Sequence, residues 1–181
     1  MGFQILDGIG KGFLAGVNKR NQILTRSVAE GPLEDAVHLG NAAYWNSTFV
    51  LGSTNVEAIY IQNTEADLNL HITRFQVSST ADTIWTLFEV TSSTAAGGTA
   101  IAAVNPLISS GVARSENSFG DASVTGGLSG ITLFSFSTLA KATEHFFLEG
   151  SLTLGNTDAI ALSADVDGTV HVNFQGFWAE G

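Results

Sequence analysis

The chain has 181 residues, no cysteine and a formal net charge of −10 at pH 7. Disulfides and thiolate metal sites are therefore excluded, and the length fits one all-β domain with a short appendage. Only 13% of the residues are charged, yet no apolar run approaches the length of a membrane span. So low a charge content is unusual for a monomer, and it predicts that partners cover much of the surface.

The first 28 residues are predicted to form an extended N-terminal arm that ends in the first strand. Five glycines lie between positions 2 and 16, and glycine disfavours a helix by about 1 kcal/mol relative to alanine. A secretory signal is not expected, because Asp7 and the glycines interrupt the apolar stretch. Residues 22–28 are the expected first strand, and Pro32 lies in a loop that we expect to end at Asn46.

Positive charge is concentrated in this arm. Residues 1–26 carry four basic residues and one acidic residue, a net +3, whereas the rest of the chain carries a net −13. An acidic body argues against nucleic-acid binding there, because phosphate recognition needs clustered Lys and Arg. The basic segment is either a docking element for an acidic surface or a solvated tail.

Several strands are predicted between residues 49 and 90. Residues 49–51 and 56–62 are separated by a turn, and the next apolar run changes its parity near Arg74, as a β-bulge would produce. Residues 84–90 are apolar on both faces, so this strand is either internal in a sheet or packed against another subunit. Trp85 is the best candidate for an anchor between subunits.

The second half of the chain begins irregularly and ends in regular strands. Residues 91–130 are rich in small and polar residues, and a long insertion of this kind usually carries function or contacts a partner. Three runs with a side-chain period of two lie between residues 144 and 178, separated by turn sequences at 155–158 and 167–168. Eight to ten strands with negligible helix predict an all-β fold, a jelly-roll-like antiparallel β-sandwich over residues 29–181.

No motif meets the requirements of a catalytic site. Residues 8–12 lack the third glycine of a dinucleotide fingerprint and the Ser or Thr of a P-loop. Residues 127–130 lack a glycine of a nucleophile elbow, and residues 165–168 fit a hairpin better than a calcium loop. The four histidines are isolated in sequence, whereas double-stranded β-helix enzymes usually take two metal ligands from one strand. We therefore predict no catalytic residue, no metal and no cofactor.

Histidine and aromatic side chains are the remaining candidates for surface chemistry. His71 and His171 are predicted to point outward, towards solvent or an interface. Tyr44-Trp45 and Phe177-Trp178 are candidates for stacking on sugars, although aromatic residues in strands more often lie in a core or an interface.

Short blocks along the chain resemble virion proteins of tailed bacteriophages. The opening LDGIGKG at 6–12, the strand block QILTRSV at 22–28 and the ending VHVNFQGFW at 170–178 are similar to segments of those proteins. Further similar blocks are GNAAY at 40–44, AIYIQN at 58–63, GGTA at 97–100 and VNPL at 104–107. Pro106 departs from that pattern.

The resemblance implies a structural virion protein with a jelly-roll body, either a head decoration (cement) protein or a part of a head fibre or tail. It implies no catalytic residues, and a location on the capsid surface after assembly in the host cytoplasm. The expected partners are the major capsid protein or other virion proteins, with no nucleic acid and no membrane. A homo-oligomer is also expected, and we expect a trimer.

Two sets of contact residues follow. The arm would lie along neighbouring capsid subunits as an added strand, through Phe3, Ile5, Leu6, Ile9, Lys11, Phe13, Leu14, Lys19 and Arg20. The body would form the oligomer through Trp85, Leu87, Phe177 and Trp178. Two alternatives stay open: a host-recognition, carbohydrate-binding jelly roll of a fibre or tail that uses residues 91–130 with Tyr44-Trp45, and a cupin-like metalloenzyme.

Overall fold

The structure is a computed structural model, and it describes residues 40–51, 56–91, 98–106, 114, 116–120 and 130–180, with the backbone of four short strands before residue 25. The chain divides into two units, Met1–Gly31 and Pro32–Gly181.

The first unit contains four short strands: β1 (Gln4–Leu6), β2 (Gly12–Leu14), β3 (Gly16–Val17) and β4 (Ile23–Leu24). Strand β1 pairs antiparallel with β2, and β3 pairs antiparallel with β4. Residues 23–24 of the strand predicted over 22–28 form β4, and three short strands precede it. Residues 22 and 25–28 lie outside the described residues. Backbone groups of these segments are extended, but they already pair with one another. The side chains predicted to dock on a capsid lie outside the described residues.

Ten further strands occur in the described part of the second unit. They are β5 (Ala42–Leu51), β6 (Val56–Asn63), β7 (Asn69–Ser79), β8 (Thr83–Val90), β9 (Thr99–Ala100), β10 (Glu116–Gly120), β11 (Gly130–Thr138), β12 (Thr143–Leu154), β13 (Ala159–Asp165) and β14 (Gly168–Ala179). One sheet has the order β11-β8-β13-β6-β10-β9, and the other has the order β12-β7-β14-β5. Neighbouring strands are antiparallel throughout both sheets.

The strand order is that of a jelly roll. Apart from the short β9 and β10, eight strands remain, and each successive strand crosses to the other sheet except at the step from β8 to β11, which are paired neighbours. Each sheet therefore interleaves early and late strands, as two Greek keys wound together require. The predicted all-β, jelly-roll-like antiparallel β-sandwich is confirmed.

The core lies between the two sheets and follows the predicted period of two. Inward side chains of β13 (Ile160, Leu162, Ala164) and of β14 (Val170, Val172, Phe174, Trp178) are all buried in one cluster. Strand β13 ends at Asp165 and β14 begins at Gly168, so the predicted turn occurs. The prediction that it closes a hairpin is wrong, because β13 and β14 lie in different sheets and do not pair with each other.

Two features, the extent of β5 and a bulge in β7, bear on the surface described below. Residues 42–46 were expected in a loop, but they belong to β5, which pairs with β14 along its whole length. Ala42 and Ala43 are both buried, so this segment lacks the alternation by which a strand is recognised. The predicted bulge is confirmed, because Gln175 pairs with Arg74 while Gly176 pairs with Ile72, which leaves Thr73 as an extra residue.

Candidate functional site

The residues predicted to join subunits lie mostly in the core. Trp85, Leu87 and Trp178 are buried in a single protomer. The indole N–H of Trp85 donates to Thr138 Oγ1 at 2.9 Å, and that of Trp178 donates to Asn63 Oδ1 at 3.0 Å. The prediction is corrected for these three residues, because their side chains leave no surface for a neighbouring copy.

Strand β8 is apolar on both faces for a different reason. It is internal in its sheet, between β11 and β13. Its inward side chains join the main core, and Phe88 on the other face joins a second buried cluster with Tyr60, Ala159 and Ala161. On that face Phe88 is buried and Ile84 is 56% exposed. An internal strand and a strand against another subunit can therefore give the same sequence pattern.

Phe177, the fourth predicted interface residue, lies on the outer face of the four-stranded sheet. Its ring is half-buried and stacks on His71 with ring centroids 5.2 Å apart. The Nδ1 atom of His71 lies 3.1 Å from Thr153 Oγ1, and that of His171 lies 2.8 Å from Thr48 Oγ1. Both histidines therefore point outward, as predicted.

The side of the sandwich where both sheets end carries exposed apolar side chains. Strands β11 and β12 are the end strands of their sheets, and their outer edges pair with no described strand. Ile131 is 59% exposed, Leu133 41% and Phe147 69%. Strand β11 contains no charged residue and no proline, two features that commonly keep an edge strand from pairing, although a β-bulge lies between Thr132 and Phe134. Strand β12 contains Glu144 and Glu149 and has a register shift between Phe147 and Leu152. We call this surface the β11–β12 edge.

Aromatic rings line the β11–β12 edge from the inside. Phe134, Phe136 and Phe146 are half-buried. The rings of Phe136 and Phe146 lie 4.3 Å apart, and that of Phe134 lies 5.9 Å from each. A partner that packed against these rings would bury a large apolar area. The sequence signal was present in the uncharged run of β11, but only the strand order places that run at an edge.

A second surface feature is a shallow groove of about 330 Å³ on the outer face of the four-stranded sheet. Its lining residues come from β5, β7 and β14: Tyr44, Asn46, Arg74, Gln76, Ser78, His171, Val172 and Asn173. The register sets Asn173 between Asn46 and Gln76, and His171 next to Ser78. We call it the polar groove. Tyr44 therefore faces a surface, whereas Trp45 is fully buried in the core and has no ring face to offer a sugar.

One carboxyl group in the body is perturbed by its surroundings. Burial raises the pKa of Glu116 above its usual value of 4.5, and contacts with Ser118, Trp45 and the backbone of Ala103 oppose the rise only in part. The Oε2 atom of Glu116 has no hydrogen-bond partner among the described residues. An ionised Glu116 is therefore poorly solvated in the folded protein.

Replacing Glu116 with Gln is expected to raise the melting temperature at pH 7. A raised pKa means that the fold favours the protonated acid, so this stabilisation is present below pH 4.5 and is lost as pH rises through the folded-state pKa. Glu116→Gln removes that loss. Because solvent screens the partly exposed carboxylate, we expect the melting temperature to rise by only about 1–2 °C at pH 7 and not to change near pH 4. Thermal melts at both pH values, with the exposed Glu89→Gln as control, measure it. An equal change at both pH values would contradict the assignment.

No family model, no curated protein and no solved structure matches this chain. Within the described ranges, no three His, Cys, Asp or Glu side chains are grouped to hold a metal ion. The described residues contain no helix long and apolar enough to cross a bilayer. The side chains of the glycine-rich segment 8–12 lie outside the described residues, as do residues 127–129.

Proposed function

We propose that this chain is a structural, non-enzymatic protein of a virus particle, which self-associates through the β11–β12 edge and binds the capsid through its basic N-terminal segment. The β11–β12 edge is the observation that carries the proposal. Strand β11 is uncharged and carries exposed Ile131 and Leu133, and an apolar edge of this kind favours contact with another chain even though a β-bulge between Thr132 and Phe134 interrupts its ladder.

The geometry of the edge favours a closed ring of copies. Each protomer offers two different free edges side by side, β11 from the larger sheet and β12 from the smaller one. Pairing β11 of one copy with β12 of the next is a heterologous contact, and such contacts close into a cyclic oligomer when the rotation allows. We propose a trimer, which presents three N-terminal segments to the capsid at once and so multiplies weak contacts.

Introducing charge at the β11–β12 edge is expected to dissociate the oligomer. Ile131→Lys combined with Leu133→Lys would place two cations in the apolar contact, and burying an unpaired charge is strongly unfavourable. Light scattering after size exclusion at tens of micromolar should give a trimer for the parent chain and a monomer for the variant. Val104→Lys is the matched control, because Val104 is 58% exposed, close to the 59% of Ile131, and it pairs with Tyr44 on β5, at the other end of the four-stranded sheet. A monomeric parent chain, or dissociation by both variants, contradicts the proposed interface.

Capsid binding is proposed to depend on the basic segment. Lys19→Glu with Arg20→Glu changes the charge of residues 1–26 from +3 to −1, which removes attraction to an acidic capsid surface. Co-sedimentation with particles stripped of this protein should then fall by about tenfold or more at low salt. Lys141→Glu in the body is the control. Unchanged occupancy by the Lys19/Arg20 variant would refute the docking role.

A further inference from the structure

The polar groove lies on a face that self-association through the β11–β12 edge does not require. It is formed within one protomer by three adjacent strands, β5, β14 and β7. Its volume of about 330 Å³ is at the lower end of the range for small-molecule sites. A single protomer can therefore present it whatever the oligomeric state.

The charge of the groove contrasts with that of the protein. The chain carries 17 acidic and seven basic residues, yet the described residues that line the groove include Arg74 and no carboxylate. Arg74 is exposed, and no ion pair to it occurs among the described residues. A guanidinium with no carboxylate neighbour among the described side chains is a bidentate site for an anionic group.

The neutral side chains around Arg74 match a polyhydroxylated ring. Asn46, Gln76 and Asn173 are direct cross-strand neighbours, and each amide offers both a donor and an acceptor. The hydrogen bond between Thr48 and His171 orients the imidazole at the end of this row. A row of amides and an imidazole is suited to hydroxyl groups, which both donate and accept.

An unsatisfied buried acceptor lies beside the same groove. Gln175 pairs with Tyr44 on one side and with Arg74 on the other. Its side chain is only 2% exposed, and its Oε1 atom has no hydrogen-bond partner among the described residues. Buried polar atoms without partners are rare in folded proteins and often mark a position that a ligand or water completes.

We propose that the polar groove binds an acidic sugar unit, a uronic or sialic acid residue of a polysaccharide. Its carboxylate pairs with Arg74, its hydroxyl groups bond to Asn46, Gln76 and Asn173, and its ring lies against Tyr44. Phosphate or a simple carboxylate would use Arg74 but leave the amide row without partners. A neutral sugar would use the amides but leave Arg74 without an anion. The combination selects a sugar that carries a carboxylate.

Ligand-observed NMR titration of the full chain with N-acetylneuraminic acid and glucuronic acid tests the proposal, with glucose and acetate as reference ligands. Binding of at least one acid sugar in the millimolar range is expected, as is usual for a single sugar unit in an open groove. Arg74→Gln should weaken it about tenfold, and Asn173→Ala should weaken it severalfold. Lys141→Gln makes the same change in net charge at the turn between β11 and β12 and should leave binding unchanged.

Four results would overturn the assignment. If glucose binds as tightly as the acid sugars, Arg74 has no role in recognition. If acetate binds as tightly as the acid sugars, the amide row has no role. An equal loss of affinity in Arg74→Gln and Lys141→Gln indicates a general effect of net charge. If neither acid sugar binds at tens of millimolar, the site is rejected. None of these results bears on the β11–β12 edge, so the proposed self-association is tested separately.

Discussion

Replacing Asn63 with Asp is expected to destabilise the body by about 3–5 kcal/mol, although the two side chains have nearly the same shape. Asn63 is fully buried at the end of β6. Its Nδ2 atom donates to the backbone oxygens of Leu68 at 2.8 Å and Leu154 at 3.0 Å. Its Oδ1 atom accepts from Trp178 Nε1 at 3.0 Å and from the backbone N–H of Glu65 at 3.1 Å.

An aspartate can keep only the two accepted bonds. The oxygen that replaces Nδ2 would face two carbonyl oxygens, so the acid is either ionised and repelled or protonated at the cost of a strongly raised pKa. Urea denaturation followed by circular dichroism measures the loss. Asn156→Asp, an exposed position in the turn between β12 and β13, is the control and should change stability by less than about 0.5 kcal/mol. A loss below about 1 kcal/mol for Asn63→Asp would show that these four bonds contribute little.

The role of Asn63 illustrates what the sequence predicts well and what it does not. The alternation of apolar residues in β13 and β14 identifies their inward faces, because a period of two is a local property of a strand. Asn63 directly follows the strand predicted over residues 56–62, and it ends β6. Its burial depends on Trp178, which lies more than a hundred positions later and is not recognisable from local pattern.

The surfaces show the same division. The outward direction of His71 and His171 follows from strand parity and was predictable. The polar groove was not, since Asn46, Gln76 and Asn173 become neighbours only through the register of β5, β14 and β7. Equally, the apolar content of β11 is visible in the sequence, but its edge position depends on the jelly-roll strand order.

The assignment of Trp85 to an interface failed for a physical reason. A strand with apolar residues on both faces needs both faces covered. Its composition does not show whether the same chain or a second copy covers them. Phe88 is buried beside Tyr60, Ala159 and Ala161 of neighbouring strands in the same sheet, whereas Ile84 on the same face is 56% exposed.

Replacing Phe75 with Ala is expected to destabilise the body by about 3–5 kcal/mol. Phe75 is the centre of the aromatic cluster: its ring stacks on Phe146 at 4.6 Å and on Phe174 at 5.0 Å, and it lies about 6 Å from Phe134 and Phe136. The substitution removes these contacts and leaves a cavity that an antiparallel sheet on each side cannot collapse. Denaturant unfolding measures the loss, and Phe177→Ala is the control.

The control separates position from residue type. Phe177 is half-buried on the outer face and contacts His71, so its removal should cost about 1–2 kcal/mol, since only part of its area leaves water on folding. Equal losses for the two variants would mean that the cluster around Phe75 is loosely packed.

The milder Phe75→Leu variant connects the core to assembly. Leucine keeps the site apolar, so the fold should survive with a loss of about 1–2 kcal/mol, but it no longer supports Phe146 and Phe134 by ring stacking. Because these rings line the β11–β12 edge from the inside, the variant should dissociate at concentrations where the parent chain is oligomeric, while its circular dichroism spectrum is unchanged. An oligomer of undiminished stability in Phe75→Leu would show that the edge assembles independently of the rings beneath it.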